Sequence, residues 1–334
     1  MAKQIGIDLG TANTLFYVKN KGIVLREPSV VAIDKAHRKV VAVGDEAKRM
    51  LGKTPDNIQA KKPLKDGVIA DFDVTAQMLR MFFQKINATG FMAGPSAVVC
   101  VPYGVTEVER HAVEDATYVA GAKKVAIVEE PIAAAVGSGL RITGPRGSMI
   151  VDIGGGTTEV AVLSLGGIVI SQSLRVAGAK MDEAVVAYMK EKYQVSVGDA
   201  TAEMLKRTIG SAHKSMDRGA TEVRGRNLHS GLPAVLTVTS ADVREAIQGP
   251  VNDIIRAILQ VLENTPPELS ADIFDYGIML AGGGALLPGL ASLISEKAGV
   301  RVTLAKKPLD SVCLGLGRII NGDITEDMLR YTER

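Results

Sequence analysis

Val151–Val160 reads VDIGGGTTEV, and Gly6–Leu15 reads GIDLGTANTL. Each has an aspartate at the end of a short apolar run, then a turn of glycine and threonine, then a return to apolar residues. Asp8 and Asp152 lie 144 positions apart in a chain of 334 residues, so the same strand–turn–strand unit recurs at about half a chain length. Such a turn can present several backbone N–H groups to an anion, because glycine lets the backbone approach without a Cβ, and threonine hydroxyls add donors. No Gly-Lys-Ser/Thr follows either turn, which excludes a Walker loop. A strand rather than a helix follows, which excludes a dinucleotide fingerprint.

Taken singly, a glycine-rich hairpin is more often structural than functional. The aspartates change that weighting, because a carboxylate ending an apolar strand is costly unless it serves a partner. A hydrated magnesium ion, held by one or two carboxylates together with phosphate oxygens, is one such partner. Two turns, one per half, predict phosphates gripped from both sides of a cleft. A third signal is AGGGA at Ala281–Ala285, between a strand and a helix. Its glycines either let a base or ribose pass close to the backbone or make a compact turn.

Composition agrees with two globular domains: 46% hydrophobic and 23% charged residues, with a net charge of +2. Interspersed charges imply no extended face for nucleic acid. The small basic cluster KKPLK (Lys61, Lys62, Lys65) reads as a solvated loop. Cys100 and Cys313 lack partners at metal-ligand spacing and read as buried free thiols in a reducing compartment. MAKQIGIDLG enters a strand directly, and VAVLSLGGIVI is too short to span a bilayer, so the expected location is the cytoplasm.

Along the chain, strand and helix signals alternate. DVTAQMLRMFFQKI has the apolar spacing of an amphipathic helix. VTEVERHAVEDATYVAGA reads as a helix capped by Thr106 and closed at Gly121. PIAAAVGSG is a short helix with Pro131 in its first turn. DVREAIQGPVNDIIRAILQVLENT reads as a long helix interrupted or kinked at Gly249-Pro250. RITGPRG (141–147) has the composition of a linker between halves, and a helix around 308–317 is expected to return to the first half.

The chain resembles the MreB/Mbl family of bacterial cytoskeletal proteins, within the actin-like ATPase superfamily. The resemblance rests on GIDLGTANTL, REPSVVAI, DGVIADF, VEEPIAAA, VDIGGGTTEVAV, ENTPPELSADI and LAGGGALLPGL, and it covers nearly the whole chain. It implies an α/β actin-like ATPase fold: two duplicated α/β domains, each with a small peripheral subdomain, flanking a nucleotide cleft. Residues 1–140 plus 315–334 would form the first domain, with its subdomain at about 32–66. Residues 141–314 would form the second, with its subdomain at about 181–242.

Carried over by position, Gly10, Thr11, Ala12 and Asn13 look like a first phosphate loop, with Asp8 near the metal. Gly154, Gly155, Gly156 and Thr157 look like the second, beside Asp152. Gly282, Gly283, Gly284 and Ala285 look like an adenosine-side loop. Glu203 and Lys206 match a helix that contacts the nucleoside in the family; from spacing alone they are an ordinary surface ion pair. Glu130 matches the family's catalytic glutamate, with Thr157 assisting from the opposite loop. A carboxylate at a helix N-terminus is also favoured by the helix dipole, which is the reading adopted for Glu129. The implied cofactors are ATP or ADP with Mg2+, the magnesium held by Asp8 and Asp152 through water.

The resemblance further implies a nucleotide-dependent homopolymer, in paired antiparallel protofilaments, at the inner face of the cell membrane. There it would guide the cell-wall elongation machinery and maintain cell shape. Phe91 and Met92, in NATGFMAGPS, match the family's membrane-inserting loop; from composition alone they could equally fold onto the core. Each would contribute roughly 1.5–3 kcal/mol at most, so attachment would depend on many subunits acting together. One departure stands out: Ala179-Lys180 occupies the place of the family's acidic pair before Met181-Asp182. Two other readings, a small-molecule kinase and a DnaK-type chaperone, would require a dedicated acceptor base or a further substrate-binding domain.

Overall fold

The structure, a computed structural model, describes residues 3–37, 39–88 and 94–322, and the backbone of 330–331. The two similar stretches form the same hairpin. In the first, Gln4–Leu9 pairs antiparallel with Asn13–Val18, placing Asp8 opposite Leu15. In the second, Ser148–Ile153 pairs antiparallel with Thr158–Ser164, placing Asp152 opposite Glu159. A β-carbon added to Gly10 would lie 2.8 Å from the Asn13 carbonyl oxygen, and one added to Gly154 would lie 3.2 Å from that of Thr157. Each turn thus closes onto itself at the same place, where any side chain would crowd it.

Each hairpin seeds a sheet with the same strand order. On one side lies a third antiparallel strand, Gly22–Pro28 in the first sheet and Gly167–Leu174 in the second. On the other side come two parallel strands. These are Ser96–Val101 and Lys124–Glu129 in the first sheet, and Ile278–Ala281 and Val302–Leu304 in the second. Arg330–Tyr331 adds an antiparallel edge to the first sheet. Parallel neighbours need crossovers, and helices supply them. Asp8 and Asp152 both end central strands at their carboxyl edge, where ligands bind in open α/β sheets.

The crossover helices form for legible reasons. Phe72–Lys85 buries Val74, Met78, Leu79, Phe82 and Phe83 along one face, and Asp71 accepts from the Val74 N–H at 3.2 Å. Phe16 meets Phe82 and Phe83 edge-on, with ring centroids 6.1 and 5.5 Å apart. Glu107–Ala120 opens with a capping box between Thr106 and Glu109 and closes at Gly121.

Two expectations are corrected. Of the interruption or kink expected at Gly249-Pro250, the interruption is absent: Ser240–Glu263 is one continuous helix with Pro250 inside it. An internal proline costs about 3 kcal/mol, but Val251, Ile254, Ile255 and Ile258 continue the buried face beyond it, each worth roughly 1.5–3 kcal/mol. KKPLK is not one solvated loop: Lys61 ends the strand Ile58–Lys61 and pairs with Asp71 at 2.7 Å. Leu64 is buried, and Leu64–Lys65 pairs with Val68–Ile69 across an Asp66-Gly67 turn.

Between the sheets cross two helices, Glu130–Gly137 and Ser311–Asn321, the second also resting on Gln4–Leu9 and Asn13–Val18. Their backbones approach closely: a β-carbon on Gly137 would overlap the Ser311 carbonyl, and one on Gly315 the Ala133 carbonyl. An apolar cluster including Val98, Ala134, Ile150, Ala161 and Leu316 draws on both sheets. Cys100 and Cys313 are buried free thiols beside it. Two small sheets stand apart: Val31–Asp34 between Lys39–Val43 and Ile58–Lys61, and Ala220–Asn227 between Val195–Ser196 and Pro233–Thr239. Among the described residues no helix is long and apolar enough to cross a membrane. Phe91 and Met92 lie outside the described residues.

Candidate nucleotide cleft

The two turns face each other. A β-carbon on Gly155 would meet the Ala12 Cβ at 2.5 Å, and one on Gly156 would overlap the Thr11 hydroxyl. Each loop has its own buttress. Ser29 Oγ donates to the Gly10 carbonyl at 2.6 Å, and Ser29 N–H donates to the Ala12 carbonyl at 3.0 Å. The second loop is held by the start of helix Gly178–Tyr193: Gly178 N–H donates to Gly154 O at 3.2 Å and Ala179 N–H to Gly155 O at 2.8 Å. That helix begins before Met181, so the unusual Ala179-Lys180 lies in its first turn. Lys180 pairs with Glu183 at 2.7 Å.

Carboxylates converge beneath the loops. Asp152 and Glu159 are 3% and 1% exposed, while Asp8 and Glu130 are half-buried at the cleft. Burial pushes Asp8 up to about 7, with the Cys100 contact opposing and Asp310 adding to the rise. Burial, then the charges of Asp8 and Glu159, raise Asp152 to about 8. Burial also raises Glu159 to about 7 against hydrogen bonds from Ser173 and Tyr103. Glu130 is driven well above the carboxylate range by burial and by Asp152, Glu159 and Asp8. Burial and mutual repulsion thus disfavour the charged form of all four carboxylates, a penalty that a nearby cation would reduce. Among the described residues no three ligating side chains are placed to hold an ion alone.

The remaining predicted residues are placed less simply. Glu203 and Lys206 do not pair with each other. Glu203 reaches Lys48 at 3.1 Å, on helix Asp45–Met50 across the cleft, and Arg207 at 3.5 Å on its own helix. Lys206 donates to the Gly178 carbonyl and pairs with Asp182, both at 2.7 Å, beneath the second loop. AGGGA leads into a short 3-10 turn, Gly284–Leu286, before helix Leu290–Ala298. Gly282 has φ +80°, and a β-carbon there would overlap Asp152 Oδ1; one on Gly284 would overlap the Ile153 side chain. Close packing therefore accounts for two of those glycines.

Sequence reasoning missed the Asp66-Gly67 turn. Gly67 N–H donates to Thr11 Oγ1 at 3.0 Å, and a β-carbon on Gly67 would lie 2.8 Å from the Thr157 methyl. An Asp-Gly pair between two short β-prone runs was the available signal. It also missed Glu159, Lys48 and the ion pair joining Arg26 to Asp310.

Two equivalent α/β sheets around a glycine-lined cleft define an actin-like ATPase fold. A family model, the MreB/Mbl protein, matches residues 2–327. The chain is 49% identical to the cell shape-determining protein Mbl of Bacillus subtilis (strain 168) over 320 residues, 96% of each chain. It is 50% identical to the cell shape-determining protein MreB of Escherichia coli (strain K12) over 324 residues, 96% of this chain and 93% of that one. MreB5 of Spiroplasma citri, solved bound to ADP, superposes with a TM-score of 0.92 at 36% identity, covering 98% of both chains. The MamK double helical filament superposes with a TM-score of 0.81 at 25% identity, covering 97% of this chain and 99% of that one. The chain belongs to the MreB/Mbl family.

Proposed function

We propose that this chain binds ATP between its two halves, hydrolyses it slowly, and polymerises into membrane-associated filaments that organise cell-wall synthesis and maintain cell shape. One observation carries the reading: two hairpin turns of identical register meet at Ala12 and Gly155 over a cluster of buried carboxylates. Backbone N–H groups and threonine hydroxyls of both turns cradle the phosphates, and Glu203 and the glycines of residues 282–284 lie toward the nucleoside. Magnesium, when bound, neutralises phosphate charge, with Asp8 and Asp152 holding its water shell. Relatives named for cell shape and a neighbour solved as a filament support assembly and the cellular role.

In hydrolysis, water attacks the γ-phosphorus, and the bond to ADP breaks to give inorganic phosphate. Glu130 accepts the water's hydrogen bond, and burial, with the carboxylates beside it, raises its proton affinity above that of an ordinary carboxylate. Thr157 orients the water from the opposite loop. The residue blocks 1–140 with 315–334, and 141–314, move as two bodies about the helices between the sheets. Phe91 and Met92 insert into the inner membrane surface, and polymer avidity makes that attachment strong.

Sedimentation with ATP, ADP or no nucleotide, with and without anionic vesicles, tests this reading. ATP-dependent pelleting, increased by vesicles, is expected. Failure to assemble under any nucleotide would overturn it. A Phe91→Ser, Met92→Ser variant is expected to assemble yet lose the vesicle dependence.

A further inference from the structure

Comparing the two hairpins position by position picks out one buried position where their chemistry differs sharply. Across three adjacent strands, the first half aligns Asp8, Leu15 and Arg26, and the second aligns Asp152, Glu159 and Ser173. The middle position is leucine in one copy and glutamate in the other. A carboxylate 1% exposed inside the strand TEVAVLS is a costly substitute for leucine unless its position needs it.

Its bonds show what it joins. Ser173 Oγ donates to one carboxylate oxygen at 2.6 Å, and the backbone N–H of Tyr103 donates to the other at 3.3 Å. Ser173 belongs to the second sheet. Tyr103 follows Ser96–Val101 of the first, whose last residue, Val101, is paired in register with Glu129, the neighbour of Glu130. Glu159 itself lies two residues beyond Thr157. The carboxylate therefore links the strand that begins just after Thr157 to the strand end adjoining Glu130, across the two halves. Thr157, Tyr103, Ser173 and Arg175 line one cavity of about 170 Å³ there, and Arg175 pairs with Glu109 at 3.3 Å to tie the same edge.

We propose that Glu159 is a positioning residue for ATP hydrolysis: its two hydrogen bonds hold Thr157 and Glu130 in mutual register on opposite sides of the attacking water. The inference rests on the ATPase reading above. Its hydrogen bonds go to Ser173 and to the Tyr103 backbone, so its removal is expected to leave nucleotide binding intact and to slow the chemical step.

Single-turnover hydrolysis and ADP titration of three variants test it. Glu159→Leu, which copies the first half, is expected to lower the hydrolysis rate by on the order of tenfold or more, as misplaced catalytic groups do, with ADP affinity unchanged. Glu159→Gln keeps both bonds, its carbonyl accepting from Tyr103 N–H and its amide donating to Ser173 Oγ. It is expected to restore the rate to within about threefold of wild type. Ser173→Ala, which removes one bond and leaves the core unchanged, is expected to fall between them. A Leu variant as fast as wild type would overturn the proposal. So would a Gln variant as slow as Leu, which would assign the effect to charge rather than to the two bonds. Should the Leu variant not fold, an unimpaired Ser173→Ala would overturn it. A wild-type chain with no turnover would remove the ATPase reading and this inference together, which distinguishes the two failures.

Discussion

Burial first, then the charges of Asp152, Glu159 and Asp8, raise the proton affinity of Glu130, which is assigned the part of general base. Replacing it with alanine should lower phosphate release by roughly 10²–10⁴-fold. ADP affinity, measured by titration, should stay within about threefold, because the phosphate donors belong to the two loops. Asp8 and Asp152 could be read from sequence because a carboxylate ending an apolar strand is conspicuous. Glu159 was equally conspicuous chemically, but its partners Tyr103 and Ser173 are 56 and 14 positions away, so its role needed the folded register. Glu203 and Lys206 show the converse. Their shared helix face suggested a pair, yet each has a partner from another element.

At the scale of elements, local chemistry was mostly decisive. Thr106 with Glu109, Asp71, and the Asp-Gly turn each mark an element boundary by satisfying or redirecting backbone groups. Pro250 does not end its helix, because burial on either side of it outweighs one missing hydrogen bond. AGGGA was legible as a turn, but Gly282 and Gly284 owe their identity to Asp152 and Ile153 beneath them. Gly282→Ala, at φ +80° and against the Asp152 carboxylate, should therefore destabilise the chain by more than about 1 kcal/mol, read as a lowered thermal midpoint. Helix Ser240–Glu263 offers a pH test. Burial opposes the charge on Asp242, but hydrogen bonds from Lys192 and Thr239 outweigh it and hold the carboxyl well below its ordinary 3.8. A depressed folded value contributes stability that is present above the unfolded value and is lost as pH falls through the folded one. The stability gap between wild type and Asp242→Asn, read from urea midpoints, should be widest at neutral pH and close on acidification below about 4.

For the whole molecule, the repeat at 144 positions announced the duplication, and the two sheets carry it through in strand order. The ties between halves were not legible, because they join residues as distant as Lys48 and Glu203, 155 positions apart. That ion pair spans the cleft between helices Asp45–Met50 and Asp199–Ile209. Lys48→Glu places like charges there and should speed release of a fluorescent nucleotide several-fold, on the order of 1 kcal/mol for a partly exposed pair. The difference should shrink as salt is raised. The central claim is that two loops, one from each half, grip one nucleotide. Calorimetric titration of ADP onto wild type, Gly10→Ala and Gly154→Ala tests it most directly, since each added β-carbon crowds the equivalent turn. A single site per chain, weakened by either substitution, is the predicted result. Two independent sites, or a single site indifferent to one of the loops, would contradict the account.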